Sequence, residues 1–277
     1  MKDAGIFITV GTRDLQLNQE VSGLDLVYNP DSKTYSIKNP RAIGSYLSSR
    51  ERKFPDVGEF EYPIIKPAFN FIREQGFNIK WVKLVVTNQV DAVEEYKKND
   101  TFFYPLILEQ LIKRDFNLIL DKQADFKPLS IERNIIFLDS MYEFFNKYFS
   151  ENDQYKAYAD TDKVFFLGQG GVDALNTGLL LNLIEFFPNL IQLQKSAGVD
   201  HALPLKFTDL FRSGFRKKLY ENSISQALKQ YNYSLIKEIV NKKKSEFYLS
   251  SYALCPKPSG FQFSTKKPDG VDEDRFE

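Results

Sequence analysis

The sequence predicts an α/β protein with a mostly parallel sheet, helices on both faces of that sheet, and a C-terminal α-hairpin. Short runs of apolar and β-branched residues alternate along the chain with segments whose apolar residues recur at helical spacing. The short runs are apolar throughout, which is typical of parallel strands that are buried on both faces. Several of them end at glycine or polar residues, where loops are expected to begin.

The first predicted element is a β-branched run, Ile6–Val10, which ends at Gly11. Residues 20–37 alternate apolar and polar residues around a turn-forming stretch, Asn29-Pro30-Asp31-Ser32, and therefore predict a β-hairpin or another excursion of the chain. The remaining elements of this half are a helix over 63–75 that stops at Gly76, a buried strand over 80–86, and a helix over 101–115 with Asp100 or Thr101 as its N-cap.

The second half continues the alternation of strands and helices. An amphipathic, aromatic-rich stretch and a long apolar stretch supply the predicted helices, and short apolar runs supply the strands. In order, these are a strand over 135–138, a helix over 140–149, a strand over 164–167, a helix over 173–187 and a strand over 190–194.

The character of the chain changes after Pro204, so we predict three segments. Residues 1–204 form the α/β ligand-binding domain. Residues 205–255 carry a helical stripe with basic residues and a second helical stretch, which predict a helical hairpin that serves as a dimerisation or linker segment. Residues 256–277 are rich in Lys, Pro, Gly and Asp and are expected to be a poorly ordered tail.

Composition excludes several classes of function. Lysine plus arginine and aspartate plus glutamate each total 37, so the net charge is zero, and duplex nucleic acid is not an expected partner. No apolar stretch approaches roughly 18 residues, which predicts a cytoplasmic protein without a membrane segment.

The chain has a single cysteine, Cys255, and a single histidine, His201. This excludes a disulfide framework and a metal site built from several of these residues. We expect no metal and no resident cofactor, and His201 is expected to be a solvated loop residue and not a catalytic one.

The end of the first predicted strand carries residues suited to an anionic ligand. Gly11 allows a tight turn, Thr12 offers a hydroxyl and a backbone N–H, and Arg13 can pair with a phosphate. Open α/β sheets bind ligands at the carboxyl ends of their strands, so this is a candidate binding loop.

A second candidate loop is the glycine-rich turn Gly168-Gln169-Gly170-Gly171, which precedes the helix predicted to start at Asp173. Asp173 is either the cap of that helix or an acceptor for a ribose or adenine group, and Asn176 is one turn further on. The alternative is a turn needed only for helix–sheet packing. The stretch lacks the last glycine of a dinucleotide-binding fingerprint, and the chain contains no P-loop.

A third polar strand end, Thr87-Asn88-Gln89, would lie at the same edge of a parallel sheet. Its alternative interpretation is a simple strand terminator.

Three stretches in the right order resemble the CRISPR-associated Rossmann-fold (CARF) domains of type III CRISPR systems. FITVGTRDLQ looks like their opening motif, WVKLVVTNQ followed by Asp100-Thr101 is similar to their second strand and helix, and FFLGQGGVDALNTGLLLNLI looks like their later glycine-rich turn. FRSGFRKKLYENSISQALKQYNY resembles the interface helices that follow this fold, so the resemblance spans residues 6–240.

The resemblance implies a Rossmann-like sensor that binds cyclic tetra- or hexa-adenylate across the axis of a homodimer and regulates a CRISPR-associated antiviral effector. Many relatives have a neutral residue where this chain has Asp173. The ligand contacts that the resemblance implies are Gly11, Thr12, Arg13, Asp14, Thr87, Asn88, Gln89, Gln169, Gly170, Gly171, Asp173 and Asn176.

Two alternatives to a non-catalytic sensor stay open. One is a metal-independent ring nuclease that cleaves the same messenger, for which Thr12, Arg13 and Gln169 are the candidate catalytic groups. The other is a generic Rossmann-fold enzyme that uses a nucleotide cofactor. No nuclease motif of an attached effector is found, because His201 has no arginine closely upstream and Glu95-Tyr96-Lys97 lies in a charged stretch typical of a solvated face.

Overall fold

A computed structural model describes residues 2–49, 57–117, 126, 128–151, 158–196, 201–206 and 214. It confirms the α/β class, since a six-stranded, mostly parallel sheet forms the centre of the described chain. The chain divides into two compact units, Met1–Arg212 and Ser213–Glu277. Most of the predicted helical hairpin at 205–255 and the whole predicted tail at 256–277 lie outside the described residues, and both stay predictions.

The main sheet has the strand order β10-β9-β8-β1-β6-β7. All neighbouring strands in it run parallel except β10, which is antiparallel to β9. Its strands are β1 (Lys2–Thr9), β6 (Phe77–Thr87), β7 (Leu129–Ile131), β8 (Lys163–Leu167), β9 (Leu190–Lys195) and β10 (Ala202–Pro204).

A second, antiparallel sheet of four strands is inserted between β1 and the helix that leads to β6. Its order is β3-β4-β2-β5, and the predicted hairpin over 20–37 is confirmed as the β3–β4 pair. The strands are β2 (Gln16–Leu17), β3 (Leu26–Asn29), β4 (Thr34–Ile37) and β5 (Phe60–Glu61).

Six α-helices connect these strands within the described residues, together with a 3₁₀ turn at Val57–Glu59. They are α1 (Ala42–Ser49), α2 (Lys66–Glu74), α3 (Glu94–Lys97), α4 (Tyr104–Phe116), α5 (Leu138–Glu151) and α6 (Asp173–Phe186).

Alternating side chains of the central strand β1 enter two separate hydrophobic cores, one on each face of the sheet. Ile6 and Ile8 belong to the core that contains buried residues of α2 and α4. Phe7 belongs to the core that contains buried residues of α5 and α6, and its ring lies 5.0 Å from that of Trp81. Successive side chains of a strand point to opposite faces, so the consecutive apolar residues Ile6, Phe7 and Ile8 of β1 require cover on both sides.

One predicted strand and one predicted helix start are wrong. Residues 135–138 form no strand, because the Asn134 side chain accepts the N–H of Ile136 at 3.0 Å in a local turn and Leu138 already begins α5. The helix predicted over 101–115 begins instead at Tyr104, without a side-chain cap. Asp100 and Thr101 do not cap α4, because their side chains bind the loops described below.

The order of the strands places two loops at a special point of the sheet. From β1 the chain proceeds through β6 to β7 on one side, and then returns to β8 and β9 on the other side of β1. The direction of winding therefore reverses between β1 and β8. Ligands of open α/β sheets bind at this switch point, outside the carboxyl ends of the strands.

Candidate functional site

The loops that leave β1 and β8 pack backbone against backbone. A Cβ atom placed on Gly11 would lie 2.6 Å from the nitrogen of Gly171 and 2.9 Å from the Cα of Gly170. The Thr9 hydroxyl also donates a hydrogen bond to the Gly170 carbonyl at 2.9 Å. Only glycine fits at such an approach, so the two loops that the sequence singles out are neighbours.

Gly170 and Gly171 have different structural reasons to be glycine. A Cβ on Gly170 would overlap the Thr9 carbonyl oxygen, a carboxylate oxygen of Asp14 and the Gly11 nitrogen. Gly171 has a φ of +75°, the left-handed conformation that side chains disfavour. The glycine-rich turn is thus required by contact with the β1 loop, and not only by packing of α6 on the sheet.

Several backbone N–H groups at this junction have no acceptor among the described residues. Within the described part of the chain, nothing accepts a hydrogen bond from the N–H of Thr12, Arg13, Gly171 or Val172. The 14-residue helix α6 begins at Asp173, directly after Val172, and the positive end of its dipole lies there. Unpaired amides beside a helix N-terminus favour an anion.

Arg13 supplies the positive side chain of the junction. It is exposed, and its guanidinium forms no ion pair or hydrogen bond with a described residue. Thr12, next to it, is half-buried, and its carbonyl accepts the hydroxyl of Tyr104 at 3.2 Å. The loop is therefore anchored through its backbone while the guanidinium is exposed for pairing.

Asp14 lies beneath this loop, not on its surface. Its side chain is 1% exposed, and Oδ2 accepts the N–H of Gly11 at 2.7 Å. Burial raises the pKa of Asp14 to about 7, although the Gly11 hydrogen bond and the charge of Arg13 act to lower it. The geometry makes Asp14 a brace for the β1 loop.

The β6 end is held by two hydrogen-bonded pairs. Thr87 and Thr101 each donate the backbone N–H to the hydroxyl of the other, and the Thr101 hydroxyl donates to the Val10 carbonyl at 3.1 Å. Buried Asp100 accepts both the backbone N–H and the side-chain amide of Gln89, at 2.9 Å and 3.1 Å.

Arg41 completes this arrangement by donating to Asp100 at 3.0 Å. Thr87 and Gln89 are therefore engaged inside the protein. Of the three polar residues that end β6, the half-buried Asn88 is the one more open to the edge of the sheet.

The remaining predicted residues lie on the β8 side. The Gln169 amide donates to the Lys195 carbonyl at 2.8 Å and accepts the Lys195 N–H, which ties the end of β8 to the end of β9. Asp173 is exposed and is the first residue of α6, not its cap, because the N-cap position is Val172. Asn176 is partly buried, and its Oδ1 has no hydrogen-bond partner among the described residues.

The structure thus brings the β1 and β8 residues together and places the β6 residues beside them through Thr101 and Val10. Sequence reasoning missed the bracing roles of Thr9, Arg41 and Tyr104. Thr9 could have been found as the polar end of an apolar strand. Arg41 and Tyr104 carry no local signal, because their partners are distant in sequence.

Two further properties bear on the class of site. Among the described residues, no group of three or more His, Cys, Asp and Glu side chains is arranged to hold a metal ion. No described helix combines the length and apolarity that crossing a membrane requires.

Comparison with known proteins gives distant matches among solved structures. No protein-family model matches the chain, and no curated protein matches it. Among solved structures, Csm6 of Enterococcus italicus bound to cyclic hexa-2'-fluoro-hexa-dAMP matches with 11% sequence identity and a TM-score of 0.44. The match covers 88% of this chain and 49% of that one, so this chain spans about half the length of Csm6. The fold class stated above rests on the sheet itself.

Proposed function

We propose that this chain is a sensor that binds a cyclic oligoadenylate at the loops after β1 and β8, as a homodimer, and so regulates a CRISPR-associated antiviral effector. The observation that carries the proposal is the junction of the two glycine loops, with unpaired N–H groups and the exposed Arg13 at the switch point of the sheet. Two of the stretches that resemble CARF domains supply these loops, and the third supplies the neighbouring β6 end.

The donors at this junction suit phosphodiesters better than a terminal triphosphate. Each phosphodiester of a ring carries one negative charge, which a few backbone N–H groups and one guanidinium can satisfy. A triphosphate is ordinarily bound by a P-loop lysine and a metal ion, and the chain contains no P-loop. In this proposal Thr12, Arg13 and Gly171 contact phosphates, while Asn88, Asp173 and Asn176 are placed to meet ribose or adenine groups.

A second copy of the chain is the partner we propose for the same edge. Helices that follow parallel strands begin at the carboxyl edge, and the starts of α4, α5 and α6 there carry exposed apolar side chains. These are Phe102, Leu106, Ile136, Phe137, Leu138 and Val172. A ring with two-fold symmetry suits an isologous dimer that is built around it, because both subunits then offer the same loops.

Calorimetric titration of the purified protein with cyclic tetra-adenylate and cyclic hexa-adenylate tests the proposal. Wild type is expected to bind one of the rings, and Arg13→Ala to bind it roughly 10- to 100-fold more weakly with an unchanged melting temperature. Lys147→Ala is the matched control, since Lys147 is an exposed cation on α5 away from the junction. Equal weakening by both variants would indicate a general charge effect and contradict the site.

Chromatography of the same mixtures separates a sensor from a ring nuclease. We expect the ring to stay intact, because the Gln169 amide, one candidate catalytic group, is already engaged with the Lys195 backbone. Linear products ending in cyclic phosphate would instead identify a ring nuclease. A thermal shift with NAD(P) but with neither ring would favour a nucleotide-cofactor enzyme.

A further inference from the structure

The carboxyl group of Asp14 has fewer hydrogen bonds than its burial requires. Oδ2 accepts the Gly11 N–H, whereas Oδ1 is buried and has no hydrogen-bond partner among the described residues. Asp100, the other fully buried aspartate nearby, differs because its two oxygens accept two bonds from Gln89 and one from Arg41. A buried carboxylate with one donor for two oxygens is costly when it is ionised.

The groups that face Asp14 offer little compensation. Arg13 lies on its own loop and is exposed. From α4 the buried Tyr104 approaches it, and burial together with the charge of Asp14 raises the pKa of that hydroxyl. From the β8 loop it meets the backbone of Gly170, which carries no charge. The guanidinium of Arg13 is therefore the main positive charge that supports an ionised Asp14.

We propose that the β1 loop binds its anionic ligand together with a proton, which Asp14 takes up from solvent. This inference rests on the proposed function, since the anion is a phosphodiester held at Thr12 and Arg13. Such an anion adds negative charge above a buried carboxyl group and covers it from water. It also neutralises the guanidinium that favours the ionised form, and all three effects favour the protonated acid.

The protonated acid still accepts the Gly11 N–H, so the brace is kept. Asp14 is thus a positioning residue that acts through Gly11, and it does not itself contact the ligand.

Linkage fixes the direction of the pH dependence. The pKa of Asp14 in the free protein is about 7, and proton uptake on binding requires that it be higher in the complex. Affinity is therefore constant below pH 7 and falls as pH rises above it, by up to about tenfold per pH unit for each proton taken up. Phosphodiesters and exposed carboxylates do not titrate in this range.

The test is titration calorimetry of cyclic tetra- and hexa-adenylate with the full chain between pH 6 and 9. Wild type is expected to bind progressively more weakly above pH 7. Asp14→Asn, which keeps an acceptor for Gly11 but cannot ionise, is expected to bind with constant affinity and to exceed wild type at pH 8.5. Asp91→Asn is the matched control, because it removes an exposed carboxylate that lies between β6 and α3 and has no role in the proposed site, and it should keep the wild-type slope.

A second measurement needs no variant. Titration of wild type near pH 7.5 in buffers of different ionisation enthalpy counts the protons exchanged, and net uptake is expected. Binding with a pH-independent affinity, or without proton uptake, overturns this inference and leaves the proposed function standing. Failure of both rings to bind at pH 6 overturns both.

Discussion

Gly170→Ala is the substitution that most directly tests the packing of the two loops. The backbone at Gly170 does not require glycine, since its φ is not positive, so the effect of the added methyl is steric. That methyl would overlap two backbone atoms, the Thr9 carbonyl oxygen and the Gly11 nitrogen, and also Oδ2 of Asp14, a buried side chain whose Oδ2 is held by the Gly11 N–H. The β1 and β8 loops must therefore move apart.

The size of the effect follows from the contacts that are lost. Overpacking of this kind costs about 1–3 kcal/mol, and losing the bond from Thr9 to the Gly170 carbonyl adds about 1 kcal/mol. If binding requires the packed arrangement, regaining it costs the ligand about 2–4 kcal/mol, which corresponds to roughly 30- to 1,000-fold weaker binding. The melting temperature is expected to fall as well.

Gly76→Ala provides the comparison for Gly170→Ala. Gly76 has a φ of +77° and nothing within 4 Å of an added Cβ, and it precedes β6 at the amino edge of the sheet. Alanine there is expected to cost about 1–2 kcal/mol of stability through backbone strain and to leave ring binding unchanged. Ring affinity and stability of Gly170→Ala equal to those of wild type would refute the packing argument.

Three further predictions concern the groups that hold the loops. Because the pKa of Asp14 is raised from 3.8 to about 7, its contribution to stability is present below pH 3.8 and lost as pH rises through 7. In calorimetric melting between pH 4 and 8, the free energy of unfolding of Asp14→Asn should therefore rise relative to that of wild type by up to about 4 kcal/mol as pH increases. A difference in unfolding free energy between the two proteins that does not change with pH would contradict this. Arg41→Met leaves buried Asp100 without its cation and should cost about 3 kcal/mol in chemical denaturation. Thr101→Val removes the bond to Val10 and should cost about 1–2 kcal/mol, with hydrogen exchange at the β6 end increased.

The main sheet was largely predictable because its strands are buried on both faces. The run within β8 is apolar throughout and the run within β6 is interrupted only by Lys83, so neither contains a turn signal, and both strands were predicted in the right place. The inserted sheet was not predicted beyond its hairpin. Its strands β2 and β5 are two residues each and form only by pairing with each other and with β4, across long sequence separations.

The start of α4 shows where a local signal misled. Asp100 and Thr101 stand just before a helical pattern, as capping residues do, but their partners are Gln89, Arg41 and Val10. Side chains of this type bind whichever unpaired donor or acceptor the tertiary structure brings close. The sequence pattern shows that these side chains can form hydrogen bonds, but it does not show with which residues they form them.

The candidate site was predictable in its location but not in the role of each residue. A glycine after a buried strand marks a loop at the carboxyl edge, and this placed Gly11 and Gly171 correctly at one junction. That Asp14 is buried and that Gln169 is tied to Lys195 depends on contacts between strand ends. Those contacts cannot be predicted until the order of the strands in the sheet is known.

The decisive experiment is calorimetric titration with cyclic tetra- and hexa-adenylate at pH 6.5, combined with the molar mass of the complex in solution. We expect one ring to bind at micromolar concentration or tighter, with one ring for every two chains and the mass of a dimer. No binding of either ring, or one ring bound for each monomeric chain, would contradict this expectation.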